Sequence, residues 1–151
     1  MEKLLISACL TGAECKYSGG SNALPEKTLE RLRAKYALVP VCPEVAGGLP
    51  VPREPSERKG TGVFSVSGRD VTAEFCRGAE TAIRLASLFG CTKALLKENS
   101  PSCGSGRIYD GSFSGVLTDG DGVCAEKLRA LGIEIIGESS VIQEDNGYEM
   151  P

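Results

Sequence analysis

Lys93–Gly106 reads KALLKENSPSCGSG: an apolar run of strand length (Ala94, Leu95, Leu96) that empties into a turn of Ser, Pro and Gly with Cys103 at its centre. The same grammar occurs twice more. Leu4–Ile6 runs into Ser7-Ala8-Cys9, and Leu38–Val41 runs into Cys42-Pro43-Glu44. In open α/β sheets, ligands bind outside the carboxyl ends of the strands. Three thiols delivered to such ends from distant parts of the chain predict one shared site.

Outward from these stretches, strand-like and helix-like patterns alternate. Lys3–Ser7 is the first strand, and Thr11–Asn22 is a Gly/Ser-rich loop. Pro25 suits the first turn of a helix in which Leu29, Leu32 and Tyr36 recur at helical spacing. Ala37–Val41 is the second strand. The segment 43–59 is dense in proline (Pro43, Pro50, Pro52, Pro55), which argues against a regular helix or central strand and for an ordered site loop. Val63–Val71 alternates around Ser67-Gly68 as a hairpin does. Thr72–Phe89 carries an apolar stripe at three-to-four spacing and stops at Gly90. Thr92–Lys97 is the third strand. The segment 99–122 is a second long loop with a short strand at Arg107–Tyr109. Asp121 caps a helix through Leu131, Ile133–Ile136 is the last strand, and a polar, loosely held tail begins at about Glu138. This order predicts an α/β, Rossmann-like three-layer fold with a mainly parallel sheet and long loops at the strand C-terminal edge.

The 151 residues fit a single domain spanning 1–151. A net charge of −3 gives no electrostatic case for a sequence-independent nucleic-acid binder, so no obligatory nucleic-acid partner is expected. No apolar run approaches a membrane span, and the apolar start of MEKLLISACL is too short for a signal peptide. A cytoplasmic location is expected. In a reducing compartment, seven cysteines are metal ligands, catalytic thiols or buried hydrophobes more often than disulfides. There is no histidine, so acid–base chemistry falls to other side chains or to a metal.

Cys76, Cys91 and Cys124 fall in or beside regular elements and read as small core residues. Cys15, six residues after Cys9, is a fourth ligand, a resolving thiol or neither. Cys9, Cys42 and Cys103 sit at strand ends, where backbone N–H groups and a following helix are expected to lower a thiol pKa. The compact Cys-x-x-Cys pairs of zinc, ferredoxin and thioredoxin sites are missing. Three dispersed cysteines suit a 4Fe–4S cluster with one iron open to a ligand, a Lewis acid in the sense of an open catalytic zinc.

Four blocks occur in the order SACLTGAECKYSGG, PVCPEVAGGLPVPRE, GRDVTAEFCRGA and LLKENSPSCGSGRIYDGSFSG. Together they resemble the thiouracil desulfurase (TudS) family, from about Leu4 to Gly137. The resemblance implies a 4Fe–4S cluster held by Cys9, Cys42 and Cys103, and removal of sulfur from a small thiolated pyrimidine such as 2-thiouracil or a thiouridine. It also implies an acid–base pair at Glu44 and Ser100. Cys124, in GDGVC, departs from the family pattern and is read as structural.

The residue chemistry agrees. Sulfur is a soft ligand suited to cluster iron. Glu44, two residues from a ligand position, can take a proton from attacking water, and Ser100 can donate one to the ring. The exchange of sulfur for oxygen is non-redox. Gly104-Ser105-Gly106 resembles a phosphate cradle only weakly, and Arg53, Arg58 and Lys59 either guide a phosphate or solvate a loop. Two alternatives remain at this point: a thiol-based redox or sulfur-carrier protein using Cys9 and Cys15, and a non-enzymatic nucleotide-binding module.

Overall fold

The computed structural model describes residues 1–146. In chain order its elements are β1 (Glu2–Ser7), α1 (Glu26–Lys35), β2 (Tyr36–Val41), α2 (Pro43–Ala46), β3 (Ser56–Lys59), β4 (Gly62–Ser65), α3 (Thr72–Phe89), β5 (Lys93–Leu96), β6 (Arg107–Tyr109), β7 (Leu117–Asp119), α4 (Val123–Ala130), β8 (Glu134–Gly137) and α5 (Glu138–Asp145). A short 3-10 turn, Ala8–Thr11, follows β1. Among these helices none is long and apolar enough to cross a membrane.

The apolar runs pair as one parallel sheet in the order β2-β1-β5-β8. Leu5 lies beside Val39 on one neighbour and Ala94 on the other, so β1 has no edge. Side chains alternate across a strand, and β1 splits accordingly. Leu4 and Ile6 pack with Leu32, Leu95 and Val141 under α1 and α5. Leu5 packs with Phe75, Ala79, Ala94 and Leu128 under α3 and α4. Both faces are covered, which is why β1 and β5 read as continuous apolar runs. The result is the expected three-layer α/β fold.

After β1 the chain turns to the α1 face, whereas after β5 it turns to the α4 face. The strand order therefore reverses between β1 and β5, and the crevice outside their C-terminal ends is the topological switch point.

On the α3 side, α2 lies almost in contact with the longer helix. A Cβ on Gly78 would stand 1.7 Å from the Pro43 carbonyl oxygen, and one on Gly47 would stand 1.9 Å from that of Glu74. Arg77 donates to the Gly47 carbonyl at 2.8 Å across the same seam.

Several elements differ from the sequence expectation. The proline-dense segment does contain a helix, the single turn α2, because Pro43 occupies its first turn, where no intrahelical N–H is needed. The hairpin is formed by β3 with β4 and turns at Gly60. Ser67-Gly68 makes only a second, tighter return, with one bridge from Phe64 to Asp70. A strand absent from the expectation, β7, pairs antiparallel with β6 inside the loop 99–122. Asp121 does not cap α4. Its carboxylate accepts from the Gly106 N–H at 2.7 Å and pairs with Arg129, while Gly122 is the N-cap. The first amides of α4 are taken by carbonyls of the Cys103 turn: Val123 donates to Pro101 at 2.9 Å, and Cys124 and Ala125 donate to Ser102 at 2.9 and 3.1 Å. The polar tail is also ordered in part. Glu138–Asp145 is helical and tied to α1 by Arg31, which pairs with Asp145 and Glu144. The rest of the expected tail, 147–151, lies outside the described residues.

Candidate active site

A cavity of about 600 Å³ opens at the β1/β5 crevice. Cys9 reaches it from the turn after β1, Cys42 from the end of β2, and Cys103 from the turn after β5. Glu44 and Ser100 line the same cavity, so all five residues singled out in the sequence face one space. Cys15 lines it too, whereas Cys76, Cys91 and Cys124 do not. Cys124 is fully buried in the core beneath it.

Each side chain is held by a short local device. The Ser100 hydroxyl oxygen accepts from the backbone N–H of Ser102 at 3.1 Å and of Cys103 at 3.0 Å, which closes the turn around the thiol. Gly104 must be glycine-sized there, because a Cβ would meet the Ser100 carbonyl at 2.7 Å. Glu44, in the one turn of α2, accepts two bonds on Oε2 from the Arg53 guanidinium, at 2.8 and 3.1 Å. Arg53 also donates to the carbonyls of Cys15 at 2.9 Å and Pro50 at 3.2 Å. Its side chain is only 6% exposed. Arg53 is thus a buried brace for the carboxylate, not a free phosphate guide. Arg58 is likewise engaged, by Gly60, Asp121 and Glu126.

Two of the strand-end thiols, Cys9 and Cys103, are not activated in the way their position suggested. Burial pushes the Cys9 thiol up, with Asn22 and Lys97 pulling partly back. Burial pushes Cys103 well above its ordinary value, against a hydrogen bond from Ser7. Cys15 is pushed up to about 12 by burial and by the Cys42 thiol beside it. Desolvation in the crevice is the largest cause for each of these three, and a bound cation would oppose it by favouring the thiolate.

The family model for 2-thiouracil desulfurase matches residues 4–140. The chain belongs to the 2-thiouracil desulfurase family. It is 41% identical over 148 residues to the uncharacterized protein YbbK of Bacillus subtilis (strain 168), covering 91% of this chain and 97% of that one. Its fold superposes with a TM-score of 0.90 on a solved structure titled [4Fe-4S]-dependent thiouracil desulfidase TudS, at 48% identity and 97% coverage of both chains. The thiol-redox alternative finds no support in these matches.

The donor set of this desulfurase-family chain fits an iron–sulfur cluster. Among the described residues no three Cys, Asp or Glu side chains converge as a single ion would need. Three thiols spaced around one cavity suit a cluster, whose irons each take a separate thiolate. Sulfur-only donors favour soft partners such as cluster iron.

Several lining residues were not legible in the sequence. Ser7 is buried at the last position of β1, accepts from the Lys97 N–H at 3.0 Å and pulls the Cys103 thiol partly back down against burial. Its only signal was a serine ending an otherwise apolar strand. Lys97 donates to the Glu98 carbonyl and to Glu138, the latter at 2.9 Å, and so brings a paired positive charge beside Cys9. Glu57, Tyr109 and Phe113 also line the cavity, and nothing in their spacing marked them.

Proposed function

We propose that this protein is a 4Fe–4S-dependent desulfidase that converts 2-thiouracil, or a thiouridine derivative of similar size, to the oxo compound and releases sulfide. The observation that carries the reading is the convergence of three strand-end thiols on one cavity, in a chain 48% identical to a [4Fe-4S]-dependent thiouracil desulfidase. Cys9, Cys42 and Cys103 are the residues that would hold the cluster. When bound, the cluster supplies an iron without a protein ligand, a Lewis acid with affinity for soft sulfur.

The remaining work belongs to side chains. Arg53 occupies Oε2 of Glu44, and Oε1 has no protein hydrogen bond among the described residues, so Oε1 is the atom that accepts a proton from water. Two backbone N–H groups saturate the acceptor side of Ser100, which leaves its O–H to donate to the ring nitrogen. Water contributes its oxygen to the ring carbon and sulfur leaves as sulfide. No electrons are exchanged overall, so no nicotinamide or flavin is called for. A single domain carries the reaction without an obligatory nucleic acid, in the cytoplasm, where free thiols such as these seven persist.

The test is anaerobic reconstitution with iron and sulfide, followed by 2-thiouracil. About four irons per chain, as a cubane cluster requires, and stoichiometric sulfide and uracil are expected. A folded protein that takes up no iron would overturn the reading.

A further inference from the structure

Among the described residues, two that are not glycine adopt positive φ: Asn99 at 66° and Phe113 at 56°. Both line the cavity. For a bulky side chain this backbone conformation is disfavoured and persists only where the surroundings impose it. At Phe113 the surroundings are identifiable. Glu57 on β3 accepts on Oε1 from the N–H of Gly111 at 3.0 Å and from the N–H of Phe113 at 3.1 Å. Gly111 lies flat on β3, where a Cβ would meet Lys59 Cβ at 3.0 Å and the Arg58 carbonyl at 3.2 Å.

The strain brings no core burial in return. Phe113 belongs to neither apolar core cluster and is half-buried at the cavity wall. Tyr109, at the end of β6, lines the same cavity and is 37% exposed. An aromatic residue held against its backbone preference, outside the core and lining the same cavity as a second aromatic, is available to a ligand's flat face.

We propose that Phe113, with Tyr109, is the stacking platform for the pyrimidine ring, and that Glu57 is a positioning residue that holds Phe113 in place. The inference rests on the reading of this cavity as a thiopyrimidine site. It adds a selection rule: the site takes planar, unsaturated six-membered rings and discriminates against their puckered 5,6-dihydro counterparts, which carry the same polar edge but no aromatic face.

The experiment uses iron-loaded protein and two sulfur-free probes, uracil and 5,6-dihydrouracil, with calorimetric Kd values. Stacking of a base on an aromatic side chain is worth roughly tenfold or more in affinity. Wild-type protein is expected to bind uracil about tenfold more tightly than dihydrouracil. Phe113→Leu should erase most of that preference and Phe113→Tyr should keep it. Glu57→Ala, which removes the acceptor of both N–H groups, should raise KM for 2-thiouracil more than it lowers kcat, with iron content unchanged. The proposal is overturned if wild-type protein binds both probes equally or binds neither, or if Phe113→Leu retains the full preference. The wild-type comparison needs no variant to fold. Planar preference without sulfide release would refute the desulfidase reading and leave the platform standing. Sulfide release without planar preference would do the reverse.

Discussion

Gly78→Ala tests how the site is held. The added methyl would stand 1.7 Å from the Pro43 carbonyl oxygen, where ordinary contact begins near 3.4 Å, so about 1.7 Å of displacement must be found between α3 and α2. Two effects compete. Alanine is the better helix former by about 0.8–1.0 kcal/mol, whereas overpacking a close seam costs about 1–3 kcal/mol. Both atoms in the clash belong to regular elements, one of them backbone, so neither yields as a flexible side chain does. The net expectation is a loss of up to roughly 2 kcal/mol, or a melting temperature lower by up to roughly 4–8 °C for a chain of this size. Pro43 lies between Cys42 and Glu44, so the same shift should reach the site. A misplacement near 1 Å can cost on the order of a hundredfold in rate. Thermal melting of cluster-free protein and sulfide release by reconstituted protein are the two readouts. A variant that melts above wild type, as helix propensity alone dictates, would refute the packing argument.

Cys9→Ser, Cys42→Ser and Cys103→Ser should each abolish stable iron binding on reconstitution, while Cys76→Ser and Cys124→Ser keep it. Cys124→Ser places a hydroxyl in a fully buried apolar site and should cost about 1–3 kcal/mol in urea unfolding. Glu44→Gln should retain the cluster's visible absorption and lose sulfide release by about a hundredfold or more, as expected for a general base. Arg53→Met removes a buried partner of Glu44 and should cost roughly 3 kcal/mol in denaturant unfolding, with a fall in turnover. Cluster-free protein should lose stability as pH rises. Burial pushes Cys124 up to about 12 from 9.0, so the unfolded chain releases this proton first and stability falls between those two pH values, by up to ~1.4 kcal/mol per unit. Cys124→Ala should flatten that part of the profile in pH-dependent denaturant melts.

The parallel sheet and α3 could be read from the chain because burial on both faces leaves continuous apolar runs at Leu4–Ile6 and Ala94–Leu96, and burial on one face leaves the stripe from Phe75 to Ala86. The thiols were legible for the same reason: each follows such a run. Elements stabilised by pairing, not by burial, left no such trace. β7 is Leu117-Thr118-Asp119, half-buried at best, and exists because β6 lies beside it. α5 has one fully buried residue, Val141, and owes its place to the Arg31 ion pairs, which periodicity cannot register. Asp121 looked like a cap by position, yet α4 found its acceptors in the backbone of another turn. Ser7, Arg53 and Phe113 reach the site through contacts with residues distant in the chain, which spacing along a single sequence does not encode.

That exchange of backbone bonds at the start of α4 has a kinetic consequence. The amide protons of Val123, Cys124 and Ala125 can meet solvent only when the carbonyls of Pro101 and Ser102 let go, which requires the turn around Cys103 to open. Their hydrogen-exchange rates therefore report on that turn from a position inside the core. A ligand that fixes Cys103 should slow exchange at these three amides together and leave the mid-helix amides of α3 unchanged. Three protons in a helix that never touches the substrate thus become a gauge of how firmly the site is closed.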